Sequence, residues 1–290
     1  MDFLTIVKAM AALSLFSLMF WMGIKVKIED VLASFKNLRL LGFSCMVNFL
    51  MVPTITVGLN YIFSPDLLIS VGFLVLGVCP GAPMGPPFVA IAKGDVSAAI
   101  GMMIILSTVS AFLSPVILGV LISYFTSGNN LDIDYFAIVR TLFLIQILPL
   151  GIGLFLHHRA PLFSQGLVKP LGILSNLLLL ATVLLILIGE YETLMTIQLR
   201  NWLAMFILFF GSLGIGWLCG GTDKKMRNTL AITTGIRNSA IALVIVSNNF
   251  SGTLAVTAVV AYSLLSIICG FGFAYCLSLV PIINLVELDN

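Results

Sequence analysis

A chain of 290 residues with nine apolar stretches of about bilayer length has few folds open to it. The stretches lie at roughly 3–24, 39–63, 67–93, 96–123, 135–156, 171–189, 201–220, 227–250 and 253–280. A helix that crosses a membrane needs about 20 mostly apolar residues, because it rises about 1.5 Å per residue through a hydrocarbon layer about 30 Å thick. The composition points the same way, at 60% hydrophobic and 9% charged residues. Soluble domains carry about 25% charged residues, and a single core of this size cannot hide so much apolar surface. The expected fold is all-α and integral to the membrane, with nine transmembrane helices. The first stretch follows Asp2 rather than a basic segment, and Lys25 and Lys27 come after it, so it reads as a first membrane helix and not as a signal peptide.

Charge in the connecting segments sets the orientation. Lys25, Lys27, Lys36, Arg39, Lys93, Arg159, Lys169, Lys224, Lys225 and Arg227 fall in alternate connections, which is ten of the 14 basic residues. The intervening connections hold Asp66, Asp132, Asp134, Glu190 and Glu192, with Arg200 as their only clear cation. The positive-inside rule then places the N-terminus outside and the C-terminus inside, in a cytoplasmic (inner) or plasma membrane.

Two of the nine stretches do not read as continuous helices. The third contains 77-GVCPGAPMGPP-87, with four prolines and three glycines. Proline removes a helical hydrogen bond and clashes with the preceding turn, and glycine weakens the helix further. The eighth contains 233-TTGIRNS-239, with polar atoms and a glycine at mid-depth. Non-helical backbone at membrane depth is tolerated only where protein or a water-filled cavity surrounds it. Interrupted segments at corresponding places of two halves point to a transporter's binding site. Stretches one to four and six to nine form two sets of four, each with its interruption in the third member. They are offset by five crossings, an odd number, so the two sets are inverted relative to each other. A structural kink in each helix is the alternative.

The strings 79-CPGAPMGPPFVAIAKGD-95, 112-FLSP-115 and 231-AITTGIRNSAIA-242, with 18-LMFWMGIKV-26 and 48-NFLMVP-53, resemble the bile acid:sodium symporter family, and the likeness covers nearly the whole chain. It implies two inverted repeats divided into two parts. A core domain, approximately 39–123 and 201–280, would hold two crossing discontinuous helices, and a panel domain, approximately 3–24 and 135–189, would hold the rest. It also implies secondary transport of organic anions, such as bile acids and smaller carboxylates, usually with sodium. Several positions depart from the pattern. Thr233 stands where the family has an acidic sodium ligand, Arg237 where it has the glutamine of a Gln-Asn pair, and Gly85-Pro86 where it has Ser-Asn. Asn238 keeps the asparagine of the pair, and Asn48 stands for a glutamine. The substrate-binding residues carried over are Asn48, Gly81, Ala82, Pro83, Met84, Thr233, Thr234, Gly235, Arg237 and Asn238. Residual sodium ligands would come from Asn48, Thr233, Thr234 and Ile236. No other cofactor is implied.

Arg237 constrains the chemistry most. It lies ten residues beyond Arg227, at the cytoplasmic end of the eighth stretch. That distance is about 15 Å along a helix, near the bilayer centre, where an unpaired charge costs about 3 kcal/mol or more. The 12 acidic residues all fall in termini, connections or stretch edges. The remaining partners are backbone carbonyls of the broken helices, Asn48, Thr233, Asn238, water, or an incoming anion. Arginine's planar fork matches a carboxylate bidentately. Three readings stay open: a grip on an anionic substrate group, a fixed charge in place of sodium, and a structural cap on carbonyls at the break. A permanent cation carries no proton, and no Asp, Glu or His is placed to do so. Facilitated diffusion, exchange and sodium coupling through neutral oxygens remain.

The rest of the chain narrows the function class. A net charge of +2 without a basic patch argues against nucleic-acid binding. Cys45, Cys79, Cys219, Cys269 and Cys276 form no C-x-x-C pair, and with only His157 and His158 no zinc site is expected. Both histidines read as solvated residues at a cytoplasmic helix end. Ser107, Thr108 and Ser110 read as helix-packing hydroxyls or cavity lining. No acid, base or nucleophile lies together at mid-depth, so an enzyme is not expected. The expected partners are a small organic anion and the lipid bilayer. An arsenite-type efflux carrier, which Cys79 keeps open, and a channel or non-transporting sensor of the same fold are the alternatives. The oligomeric state is not readable.

Overall fold

The computed structural model describes residues 3–26, 29, 38–63, 65–126, 135–189, 191–250 and 252–279, which are helical throughout apart from short connections. The helices are α1 (Phe3–Lys25), α2 (Leu38–Met46), α3 (Val52–Phe63), α4 (Leu67–Val78), α5 (Gly85–Ile91), α6 (Val96–Thr126) and α7 (Tyr135–Leu142). They continue as α8 (Leu148–Arg159), α9 (Pro161–Gly189), α10 (Tyr191–Met195), α11 (Leu199–Cys219), α12 (Lys224–Gly235), α13 (Ser239–Asn249) and α14 (Leu254–Leu279). Single π-helical turns, Val47–Met51 and Phe143–Ile147, join α2 to α3 and α7 to α8. Such turns widen a helix locally without ending it.

Among the described residues eight helical runs are long and apolar enough to cross a bilayer, namely Thr5–Lys25, Arg39–Phe63, Val96–Phe125, Phe136–Arg159, Pro161–Gly189, Leu199–Cys219, Lys224–Asn249 and Leu254–Leu279. The expected crossing at 67–93 is divided. Its first part, α4, has 12 residues, about 18 Å of helix and too short to cross by itself. The chain leaves the helix at Cys79 and re-enters it at Gly85. Pro86 then sits in the first turn of α5, where the missing N–H costs nothing. The eighth stretch is interrupted too, with α12 ending at Gly235 and α13 starting at Ser239.

The sixth expected crossing differs at its start. It was expected to open near residue 171, but α9 begins at Pro161 and carries Lys169 within it rather than in a connection. Proline at the first helical position and exposed Leu162, Phe163 and Lys169 suit a helix whose first turns lie at the membrane surface. Asp2, Lys27, Lys36, Asp132, Asp134 and Glu190, used in reading the N-terminus and the orientation, lie outside the described residues.

The main helix contacts fall in two groups, which α1 joins by packing on α13 as well. α1 lies along α8 and α9, and close backbone approach is possible because Gly23 and Gly153 face each other; a Cβ on Gly153 would stand 2.8 Å from the Gly23 Cα. Trp21 fastens the same group by donating from Nε1 to the Val168 carbonyl at 2.8 Å. In the second group α4 packs on α3, α6 and α14, and α11 packs on α3 and α12. The two broken segments are the most enclosed part of the protein. Every residue from Ile69 to Val78 of α4 is buried, and 94% of the apolar window in Lys224–Asn249 is buried, against 22% in Pro161–Gly189. Broken backbone therefore lies inside protein while α9 faces lipid, as the lack of hydrogen-bonding partners in hydrocarbon requires.

Candidate functional site

The two interruptions meet. α12 touches α5 and α13 touches α4, so each half of one broken helix packs on the opposite half of the other. A helix end leaves its last carbonyls without partners, and inside a membrane each orphan is costly. Of the six carbonyls from Leu76 to Gly81, at and just beyond the end of α4, four are taken by two consecutive residues from the second interruption. Arg237 donates from Nε to the Leu76 carbonyl at 3.0 Å and from Nη2 to the Gly77 carbonyl at 2.6 Å. The backbone N–H of Asn238 donates to the Cys79 carbonyl at 2.8 Å, and its Nδ2 to the Gly81 carbonyl at 3.0 Å. Ser114, on α6, donates its hydroxyl to the Val78 carbonyl between them.

The second broken helix is closed in the same way. Nη1 of Arg237 reaches back to the Thr234 carbonyl at 3.5 Å, and Tyr262 of α14 donates to the Gly235 carbonyl at 3.3 Å. Asn238 also caps α13, with its Oδ1 accepting from the Ile241 N–H at 3.2 Å. The guanidinium thus sits on the negative ends of α4 and α12, where a cation is favoured by both helix dipoles. Arg237 is 1% exposed and is the largest fully buried side chain among the described residues. None of its partners is a carboxylate.

Asn48 completes the arrangement. It lies in the π-helical turn before α3, and its Oδ1 accepts from Arg237 Nη1 at 2.7 Å. Its Nδ2 donates to the Ser44 carbonyl at 2.9 Å and to the Thr234 hydroxyl at 3.4 Å. Thr233 turns its hydroxyl onto its own helix, to the Thr229 carbonyl at 2.9 Å and the Leu230 carbonyl at 3.3 Å. Gly81 has φ +78°, and a Cβ there would stand 2.5 Å from the Ser107 backbone nitrogen. Only glycine suits both the left-handed conformation and that approach.

The sequence-derived residues fall into two groups. Asn48, Gly81, Thr233, Thr234 and Gly235 surround the buried junction. Ala82, Pro83, Met84, Ile236, Arg237 and Asn238 line a cavity of about 450 Å³, walled on its far side by Leu18 of α1 and by α9 from Asn176 to Leu187. That volume lies within the ~300–1,000 Å³ of small-molecule sites. Ser239, Ser263 and Ser266 add hydroxyls to a lining whose other polar side chains are Asn176, Arg237 and Asn238. A second cavity of about 290 Å³ lies at the other end of α13, between Asn248 and Asn249 and the α7 residues Ile138, Thr141 and Leu142.

Several roles were not visible in the sequence. Ser114, Tyr262 and Gln146 are polar side chains within apolar stretches, which was the available signal. Gln146, in the second π-helical turn, donates Nε2 to the Ser107 carbonyl, while its buried Oε1 has no partner. The Ser107 and Ser110 hydroxyls bond carbonyls of their own helix and do not line the larger cavity. His157 differs from its expected solvated state. It is half-buried, and its Nδ1 lies 2.7 Å from the Ile24 carbonyl at the end of α1, within hydrogen-bonding distance.

The model described as Sodium Bile acid symporter family matches residues 12–197. The chain is 22% identical over 259 residues to "Probable sodium/metabolite cotransporter BASS2, chloroplastic" of Oryza sativa subsp. japonica, covering 87% of this chain and 59% of that protein. It is 23% identical over 240 residues to "Ileal sodium/bile acid cotransporter" of Cricetulus griseus, covering 80% and 67%. It is also 23% identical over 246 residues to "Uncharacterized sodium-dependent transporter YocS" of Bacillus subtilis (strain 168), covering 82% and 74%. The match thus spans about three fifths of the rice protein's length. With most of its length matched, this helical membrane chain belongs to the sodium bile acid symporter family.

Proposed function

We propose that the chain is a secondary transporter that moves a small organic anion across the membrane by alternating access, and that it does so without sodium. Family membership supports the transport reading, since the relatives' names describe cotransporters. On this reading nine crossings form two inverted repeats. α1, α8 and α9 belong to the panel domain, and the helices around the crossing belong to the core. The cavities at the two ends of α13 are the candidate stations on either side of the barrier.

The observation that carries the sodium part is the occupation of the oxygen cluster at the junction. Sodium is a hard cation that needs several oxygens. The Leu76, Gly77 and Thr234 carbonyls and Asn48 Oδ1 supply four, and all four face the Arg237 guanidinium. Thr233 brings no carboxylate, and its hydroxyl is engaged on its own helix. Arg237 is then a tethered cation holding the two half-helix ends together in every cycle. The anionic group of the substrate would sit in the larger cavity near Arg237, Asn238 and Ser239, in the positive field of the guanidinium and of the start of α13.

The test is a thermal-unfolding screen of purified protein with acetate, pyruvate and cholate in sodium and in potassium buffer, followed by uptake of each stabilising anion into proteoliposomes. The expected result is stabilisation and equilibrating uptake that are equal in the two cations. Concentrative uptake that collapses on replacing sodium overturns the sodium-free reading. Absence of uptake for all three anions overturns the transport of small organic anions.

A further inference from the structure

The larger cavity changes character across its width. Its inner side carries Arg237, its only charged lining residue, with Asn238 and Ser239 at the start of α13. Its outer side is formed by Leu180, Leu184 and Ile267, which are 53%, 47% and 43% exposed although they line a cavity. Leu180 and Leu184 stand one turn apart on α9, and Ile267 faces them from α14. Leu180 is at the centre of the apolar run 171–189, and Ile267 lies midway along the 26-residue α14. At about 1.5 Å per residue, Ile267 is ~20 Å from either end of its helix, deep in the hydrocarbon layer. α9 and α14 barely touch. The cavity therefore opens sideways, through a slit between these helices, toward the acyl chains of the bilayer.

Such a slit selects its ligand by chemistry. A fully hydrated small anion cannot approach through hydrocarbon. An amphiphile dissolved in the leaflet can, by sliding its apolar body along Leu180, Leu184 and Ile267 while its head reaches the polar inner wall. The lining holds no acidic residue to repel a negative head. We propose that the cavity takes a single-chain amphiphile with an anionic head, of the long-chain carboxylate class, and that this ligand enters laterally from the bilayer between α9 and α14. The proposal rests on the reading of this cavity as the substrate site and narrows its ligand class and its route.

The experiment is photo-crosslinking with a palmitate analogue carrying a diazirine in its tail, added to the full chain reconstituted in lipid nanodiscs, with labelled peptides mapped by mass spectrometry. Label is expected on the α9 and α14 peptides that line the slit. It should be lost on competition with palmitate but not with acetate, and lost when the slit is filled by Leu184→Trp or, from the opposite wall, by Ile267→Trp. Leu203→Trp, at a residue 49% exposed on α11 and outside the cavity, is expected to leave the labelling intact. Label spread evenly over the lipid-facing helices, or unchanged in both slit variants, overturns the site. Equal competition by acetate overturns the lateral route. Labelling requires no transport, so slit-specific label without uptake of any carboxylate overturns the transport reading and leaves this site standing.

Discussion

Asn48 and Arg237, 189 residues apart in the chain, meet through a 2.7 Å hydrogen bond from guanidinium Nη1 to carboxamide Oδ1. The bond ties the widened turn before α3 to the junction of the two broken helices. It is the one side-chain acceptor among the arginine's partners, the others being backbone carbonyls. Removing it isolates a buried donor without disturbing the helix ends. Asn48→Ala is expected to cost about 1.5–3 kcal/mol, the usual value for a hydrogen bond to a charged group, and to lower the unfolding midpoint in detergent. Asn48→Asp keeps the acceptor and adds a charge partner but loses the Nδ2 donor to the Ser44 carbonyl, and is expected to be less destabilised than Asn48→Ala. An alanine variant as stable as the parent would show that the bond contributes nothing.

The same junction gives a gain-of-function test for the sodium-free reading. Arg237→Gln withdraws the tethered cation from its oxygens, and Thr233→Asp places a carboxylate where the family resemblance puts an acidic ligand. Arg237→Gln alone is expected to be destabilised, since the Leu76 and Gly77 carbonyls lose charged donors. The double variant is expected to regain stability in sodium but not in choline, by about 2.7 kcal/mol at 100-fold excess over the dissociation constant. The parent should respond to neither cation. Equal unfolding midpoints of the double variant in sodium and choline, read by thermal shift, would count against a sodium-type site at this junction.

The two interruptions were legible in the sequence because proline and glycine act locally, and Pro80, Pro83, Pro86 and Pro87 leave no continuous helix to draw. The expectation that Arg237 is enclosed was legible too, since its position ten residues beyond Arg227 in an apolar stretch needs only the helical rise, and it is 1% exposed. Asn48 and the carbonyls of the broken helices were legible as candidate partners, but which carbonyls were not. Leu76 and Gly77 carry no polar side chain to mark them, and they lie 161 and 160 residues away in the chain. Backbone carbonyls become acceptors only where a helix ends, so their role appears once tertiary structure brings the two ends together. The early start of α9 was hidden because Lys169 and the polar residues before it read as a connection, while a helix at the membrane surface tolerates them. Gln146 is a single polar residue in a long apolar run, and one residue leaves no periodicity to read.

Gly81 offers a backbone test of the first interruption. Its positive φ and its approach to Ser107 act on the same Cβ, and the atom in the way is backbone that cannot rotate aside. Left-handed strain costs about 1–3 kcal/mol by itself. Gly81→Ala is therefore expected to lose about 3 kcal/mol or more. Gly42→Ala, in α2 with nothing within 4 Å of the new Cβ, is expected to gain about 0.5–1 kcal/mol from helix propensity. Chemical or thermal unfolding of the pair separates local strain from any general effect of adding a methyl group. Similar losses in both variants would remove the special status of Gly81.

Asn238 performs two jobs with one carboxamide, and its two atoms can be separated by substitution. Oδ1 caps α13 through the Ile241 N–H, while Nδ2 satisfies the Gly81 carbonyl across the crossing. Asn238→Asp keeps the cap and places a negative charge at a helix start, which is favourable by about 0.3–1 kcal/mol. It also loses the donor and sets a carboxylate oxygen against the Gly81 carbonyl, at a cost of about 1–3 kcal/mol. Asn238→Ala loses the cap, about 0.5–2 kcal/mol, and leaves the same carbonyl without its donor. Neither change touches the backbone N–H that bonds Cys79, so the crossing keeps one of its stitches in both. The expected order of unfolding midpoints is parent, then Asp, then Ala. An Asp variant less stable than the Ala variant would mean that burying a carboxylate against the Gly81 carbonyl costs more than the cap on α13 contributes.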